Sequence, residues 1–139
     1  MKIVLDTNVL LVSVSPRSQF YPIYRAFLEE RYLLCVTTDI LLEYEEILTD
    51  HVGPELTDAV LQTIRNAPNT LFVTRYFEWE LIKADPDDNK FVDCCVAIDG
   101  KYIVTEDGHF KVLKQIPFPS VATKRMKPFM REDLGIPVE

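Results

Sequence analysis

Two short apolar runs in this chain each end on acid: KIVL leads directly into Asp6, and YIVT leads into Glu106 and Asp107. A carboxylate that follows a strand stands at the strand's carboxyl end, which is where open parallel α/β sheets bind ligands, beside the point at which strand order reverses. Two further acids accompany them. Glu43 falls about one turn into a helix that follows the second strand, and Asp88 falls at the start of the helix that precedes the fourth. If the first and fourth strands are neighbours, Asp6 and Asp107 converge on one crevice, and the two helical acids can lean toward it. Carboxylates packed this closely raise one another's pKa unless a cation neutralises them. Their hard oxygen donors suit Mg²⁺ or Mn²⁺, and the Cys and His set that zinc usually takes is missing. Each acid taken singly has a plainer role. Asp88 could cap its helix and Glu43 could lie on a solvated face; the joint pattern is what points to chemistry.

The elements that must position these residues alternate between short β-branched runs and longer segments of helical spacing. That alternation predicts a three-layer α/β/α architecture with a central, mostly parallel sheet of four to five strands. Strands are expected at Lys2 to Asp6, Leu33 to Val36, Thr70 to Thr74 and Tyr102 to Thr105, with a short fifth at Ser120 to Thr123. Helices are expected over Phe20 to Arg31, after the N-cap candidates Thr37, Thr38 and Asp39, from Pro54 to about Asn66, and from Asp88 to Asp99 with Gly100 as the C-cap residue. No repeat, low-complexity tract or linker divides the chain, so residues 1–139 are expected to form a single domain. At 139 residues such a domain buries about two-thirds of its unfolded surface.

Hydrophobic residues make up 47% of the chain and charged residues 27%, which is globular composition rather than that of a disordered tail. Asp6 and Asn8 interrupt the amino-terminal apolar run and no small-residue cleavage site follows, so the run is read as structure, not a signal peptide. No stretch reaches the ~20 apolar residues that span a bilayer, and no membrane partner is expected. Cys35, Cys94 and Cys95 are an odd set without metal or redox spacing; they are read as small buried residues of a reducing compartment, which points to the cytoplasm.

Four blocks, LDTNVLL (5–11), LLEYEEIL (41–48), DPDDNKFVD (85–93) and YIVTEDGHF (102–110), resemble in order the motif blocks of the PIN-domain family. The nearest branch is the one grouped with toxins of bacterial toxin–antitoxin systems. The resemblance implies a metal-dependent ribonuclease in which Asp6, Glu43, Asp88 and Asp107 occupy the family's catalytic, metal-binding acidic positions, with Asn8 and Thr105 at its accessory polar ones. Asp85, Asp87, Asp88 and Asp93 compete for the third acid. Asp88 fits the family's spacing, three residues before Phe91 and seven before Cys95, while Asp93, about 140° around the helix, is expected to support the site. The chain departs from the branch at Glu106, which could add a ligand or shield one, and at His109, which could contact a phosphate or move a proton.

A net charge of −7 argues against a generic nucleic-acid binder, because phosphates are normally met by Lys and Arg. The proposed cation site accounts for about four to five of those charges, and bound cations would invert the local potential. From Gly108 to Arg131 there is no acid, and Lys111, Lys114, Lys124, Arg125, Lys127 and Arg131 supply six positive charges. Lys111, Lys114, Lys124 and Arg125 are therefore candidates for RNA binding, a solvated face being the alternative. Tyr21, Tyr24, Phe110, Phe118 and Phe129 could stack on bases or fill the core. The partners this implies are an RNA substrate and a small antitoxin protein, with a homodimer left open. An aspartyl-phosphate phosphatase would need an acid at Asn8, and a receiver domain an acidic pair ahead of Asp6; neither pattern is present. The remaining rival is a PIN-like module that binds RNA or protein without cutting.

Overall fold

The computed structural model describes residues 1–139. Five strands, β1 (Lys2–Leu5), β2 (Leu33–Val36), β3 (Thr70–Phe72), β4 (Tyr102–Val104) and β5 (Thr123–Lys124), form one sheet in the order β3-β2-β1-β4-β5. Every pairing is parallel, with Leu5 opposite Val104 in the central pair. Helices α1 (Thr7–Ser13), α2 (Tyr21–Leu28), α3 (Thr38–Val52), α4 (Pro54–Asn66) and α5 (Asn89–Ile98) flank it. The order reverses between β1 and β4, because the chain leaves β1 toward β2 and β3 and returns to the other side of β1 through α5. The crevice predicted from sequence thus opens between the ends carrying Asp6 and Asp107.

The strands are apolar because both sheet faces are covered: Ile3, Val4, Leu5, Leu34, Cys35, Val36, Ile103 and Val104 are all buried. Helix α3 begins where expected, with the Thr37 hydroxyl accepting the Ile40 N–H at 3.2 Å. Its Tyr44 reaches back to donate to the Leu5 carbonyl at 2.6 Å, which pins the helix carrying Glu43 to the end of β1. The three thiols are buried and free, and burial pushes that of Cys35 up to about 11, so they are inert packing groups.

Several expectations are corrected. The sequence reading gave no helix after Asp6, yet Thr7–Ser13 is helical; its run of Val and Leu reads as a strand when periodicity is taken alone. Helix α2 is shorter than Phe20 to Arg31, and β5 lies at Thr123–Lys124 rather than Ser120 to Thr123. The left-handed residue ending α5 is Asp99, with φ 53°, not Gly100. Glycine is still required at position 100, since a Cβ there would meet the Cys95 Sγ at 2.8 Å.

Candidate metal centre

Asp6 closes β1 and opens α1 in one step. Its N–H donates to the Val104 carbonyl of β4, while its own carbonyl accepts the first N–H groups of α1. The side chain of a residue in this position commonly caps the helix, but that of Asp6 makes no capping bond. It accepts instead from the Thr105 hydroxyl at 2.7 Å. That hydroxyl oxygen in turn accepts the Asp107 N–H at 3.0 Å, so Thr105 ties the two strand-end acids into one unit. Burial raises the pKa of Asp6; the Thr105 hydrogen bond partly offsets this, and the charges of Asp107 and Glu43 add to it.

Asp88 follows the same logic at the start of α5. It occupies the capping position without making a capping bond, is 8% exposed, and its Oδ2 is buried with no hydrogen-bond partner. Its carboxyl is pushed up to about 7, first by burial and then by the charges of Asp107, Asp85 and Asp6. A buried carboxylate oxygen without a donor is costly to keep. The arrangement therefore stores a demand for positive charge.

One oxygen each from Asp85, Asp88 and Asp107 and one ring nitrogen of His109 lie within 4.8 Å of one another. The sequence placed Asp85 only as a rival of Asp88 for the third acid, and His109 only as a phosphate contact or proton carrier. Their signal is local spacing: Asp85 precedes Asp88 by one 3₁₀ turn, Pro86–Asp88, and His109 follows Asp107 by two, where its N–H donates to Asp107 Oδ1 at 2.8 Å.

Asp6 lies outside this group of four donors, and so does Glu43. It accepts from Lys90 Nζ at 2.6 Å and from the Thr7 hydroxyl, a half-buried pair rather than the solvated face that sequence allowed. Lys90, on α5, was not anticipated, because nothing local pairs it with a residue on α3. Asp93 is buried on another side of α5, where it accepts the Trp79 N–H at 3.0 Å. Burial raises its pKa, with Glu78 and Glu80 adding to the shift. Asn8 is exposed and lines, with Asp6, Asp107 and Glu106, a hollow of about 330 Å³.

The basic segment is more paired than its acid-free sequence suggested. Lys124 donates to Asp133 at 2.6 Å, lies 3.3 Å from Glu132 and sits over the Tyr102 ring; it braces β5 and offers no free ammonium. Arg125 is exposed and forms a two-pronged contact with Glu106 Oε1, at 2.9 and 3.2 Å. Lys111 and Lys114 are exposed and line, with Asp107 and Arg125, a pocket of about 230 Å³. Of the aromatic candidates for stacking, Tyr24, Phe110 and Phe129 are core residues, whereas Phe118 is 79% exposed and meets Trp79 edge-on.

These features define a parallel α/β protein with a cluster of acids, spaced as the ligands of a metal ion could be, at the carboxyl ends of its two central strands. The PIN domain model matches residues 2–109, and the chain belongs to that family. Its fold is similar to that in the crystal structure of VapBC2 from Rickettsia felis bound to a DNA fragment from their promoter. That similarity has a TM-score of 0.59 and 13% identity, over 90% of this chain and 98% of that one. A search of curated proteins finds no match. No helix is long and apolar enough to cross a membrane.

Proposed function

We propose that the protein is a metal-dependent ribonuclease, a single catalytic domain acting in the cytoplasm as the toxin of a toxin–antitoxin pair. The observation that carries the reading is the buried, partnerless Oδ2 of Asp88, held among carboxylates at the switch point of the sheet. Membership of the PIN family supports nuclease chemistry. The similarity to the VapBC2 fold supports the antitoxin partner.

Asp6, Asp88 and Asp107 would hold Mg²⁺ or Mn²⁺, with Glu43 at the outer edge, where Lys90 competes with the cation for its carboxylate. When bound, such cations supply the means to activate a water and to stabilise the oxygen leaving the phosphodiester. The residues of the chain do the positioning. Thr105, by donating to Asp6 Oδ2 and accepting from the Asp107 backbone, ties both acids to one hydroxyl. Asn8, at the rim, offers an amide to a phosphate oxygen or sugar hydroxyl. Lys111 and Lys114 line a pocket beside Asp107 and would receive the phosphates flanking the cleaved one, together with Arg125 once it leaves Glu106. Lys124 drops out of this group because Asp133 and Glu132 already neutralise it. Asp93 supports the site from behind by fixing the Trp79 segment against α5.

The test is Asp6→Asn, which removes a negative ligand without changing side-chain size. It should abolish metal-dependent RNA cleavage and leave the folded circular-dichroism spectrum intact. Cleavage at the wild-type rate would contradict the assignment.

A further inference from the structure

His109 stands among the carboxylates rather than beside them. Its Nδ1 lies 3.4 Å from Asp107 Oδ1, 3.7 Å from Asp88 Oδ2 and 4.0 Å from Asp85 Oδ2. All three distances exceed the roughly 2.7–3.2 Å of an ordinary hydrogen bond. They fall in the range spanned by ligand atoms around an octahedral ion with bonds of about 2.1 Å, about 3.0 Å apart when adjacent and about 4.2 Å when opposite. The whole set of four donors falls within 4.8 Å, slightly wider than such a shell, so a bound ion would draw the side chains together. The hydrogen bonds of the group turn these donors toward one another. Asp85 Oδ1 accepts the Asp87 N–H at 3.2 Å, which turns Oδ2 toward His109. The His109 N–H donates to Asp107 Oδ1, which folds the turn so that the ring comes back over that carboxylate. Asp88 Oδ2, buried and without a partner, faces the same centre.

We propose that His109 Nδ1, with Asp85, Asp88 and Asp107, ligates one divalent cation, and that this nitrogen makes the site prefer transition-metal ions to Mg²⁺. The proposal rests on the metal-centre reading above; it brings in Asp85 and His109 as ligands, and the four donors of this set do not include Asp6 or Glu43. Imidazole nitrogen is a softer donor than carboxylate oxygen, and affinity at mixed nitrogen and oxygen sites climbs along the first transition row, whereas Mg²⁺ favours oxygen and gives up its waters reluctantly. A histidine acting only as a counter-ion to the three acids would do the opposite. It would compete with every cation, and its removal would tighten the binding of all of them.

Calorimetric titration of Mg²⁺ and of Co²⁺ into the full chain, with the visible spectrum of bound Co²⁺, separates these cases. His109 is half exposed, so His109→Ala is expected to stay folded, and His109→Asp puts a carboxylate oxygen in place of the nitrogen. Wild type should bind Co²⁺ at least about tenfold more tightly than Mg²⁺. His109→Ala should lose about tenfold or more in Co²⁺ affinity, change little toward Mg²⁺ and shift the Co²⁺ spectrum; His109→Asp should narrow the preference. Equal changes for both ions, tighter binding of both, or an unaltered spectrum would overturn the proposal. Failure of wild type to bind either ion would overturn it together with the metal centre. Selective Co²⁺ binding without RNA cleavage would uphold it and count against the nuclease reading alone.

Discussion

Two sides of α5 present the same chemistry in opposite states. Asp88, at its start, and Asp93, about 140° around the helix, are both buried aspartates whose pKa burial raises first of all. Asp93 is satisfied by the Trp79 N–H, and the acids that add to its shift, Glu78 and Glu80, belong to that neighbouring segment. Asp88 has an oxygen with no donor, and the acids that add to its shift lie in the crevice. Burial of a carboxylate is therefore not in itself a sign of function. What separates the two is whether the protein supplies the partner.

The comparison breaks most sharply on substitution. Asp88→Asn should lower metal-dependent cleavage by orders of magnitude, while Asp93→Asn, whose amide oxygen can still accept from Trp79, should change it far less in the same RNA assay. Comparable losses in both would erase the distinction. Metal should then stabilise the wild type, since only the folded chain gathers the donors. At ~100 times its dissociation constant a ligand adds about 2.7 kcal/mol, or roughly 8 °C in Tm, and Asp88→Asn should lose most of that shift in a Mn²⁺ melting series.

A smaller effect is expected from Asp93→Ala, which leaves the Trp79 N–H without its acceptor and should cost about 1–2 kcal/mol in urea unfolding, with or without metal. A further effect concerns pH. Because the carboxyl of Asp88 is raised to about 7 in the folded protein, the stability this contributes is fully present below its ordinary value and is lost as pH rises through about 7. Metal-free Tm should accordingly fall between about pH 5 and pH 8. Asp88→Asn should flatten that slope, and a slope unchanged in the variant would assign it to other groups.

The central fold was legible because β1 and β4 are short, largely apolar runs followed at once, or after Thr105, by acid, and burial on both faces writes that pattern directly into sequence. Helix α1 was not, since Thr7–Ser13 follows the strand without a break and its Val and Leu suit either conformation. The strand-end acids could be placed from their neighbours alone. Three other features depended on contacts between distant segments. Lys90 meets Glu43 only because α5 packs near α3. Lys124 and Arg125 looked free because the window from Gly108 to Arg131 excludes the acids that neutralise them, Glu106 before it and Glu132 and Asp133 after it. His109 lacked a second histidine at ligand spacing, and its companions proved to be carboxylates reached through folding.

The central claim is that the acids around Asp88 make this fold an enzyme rather than a binding module. The most direct measurement is incubation of a mixed RNA pool with the purified chain, with and without Mn²⁺, followed by analysis of both fragment size and end groups. The account predicts cleavage only with the cation, leaving 5′-phosphate and 3′-hydroxyl ends; RNA retained intact on the protein in the presence of Mn²⁺ would contradict it.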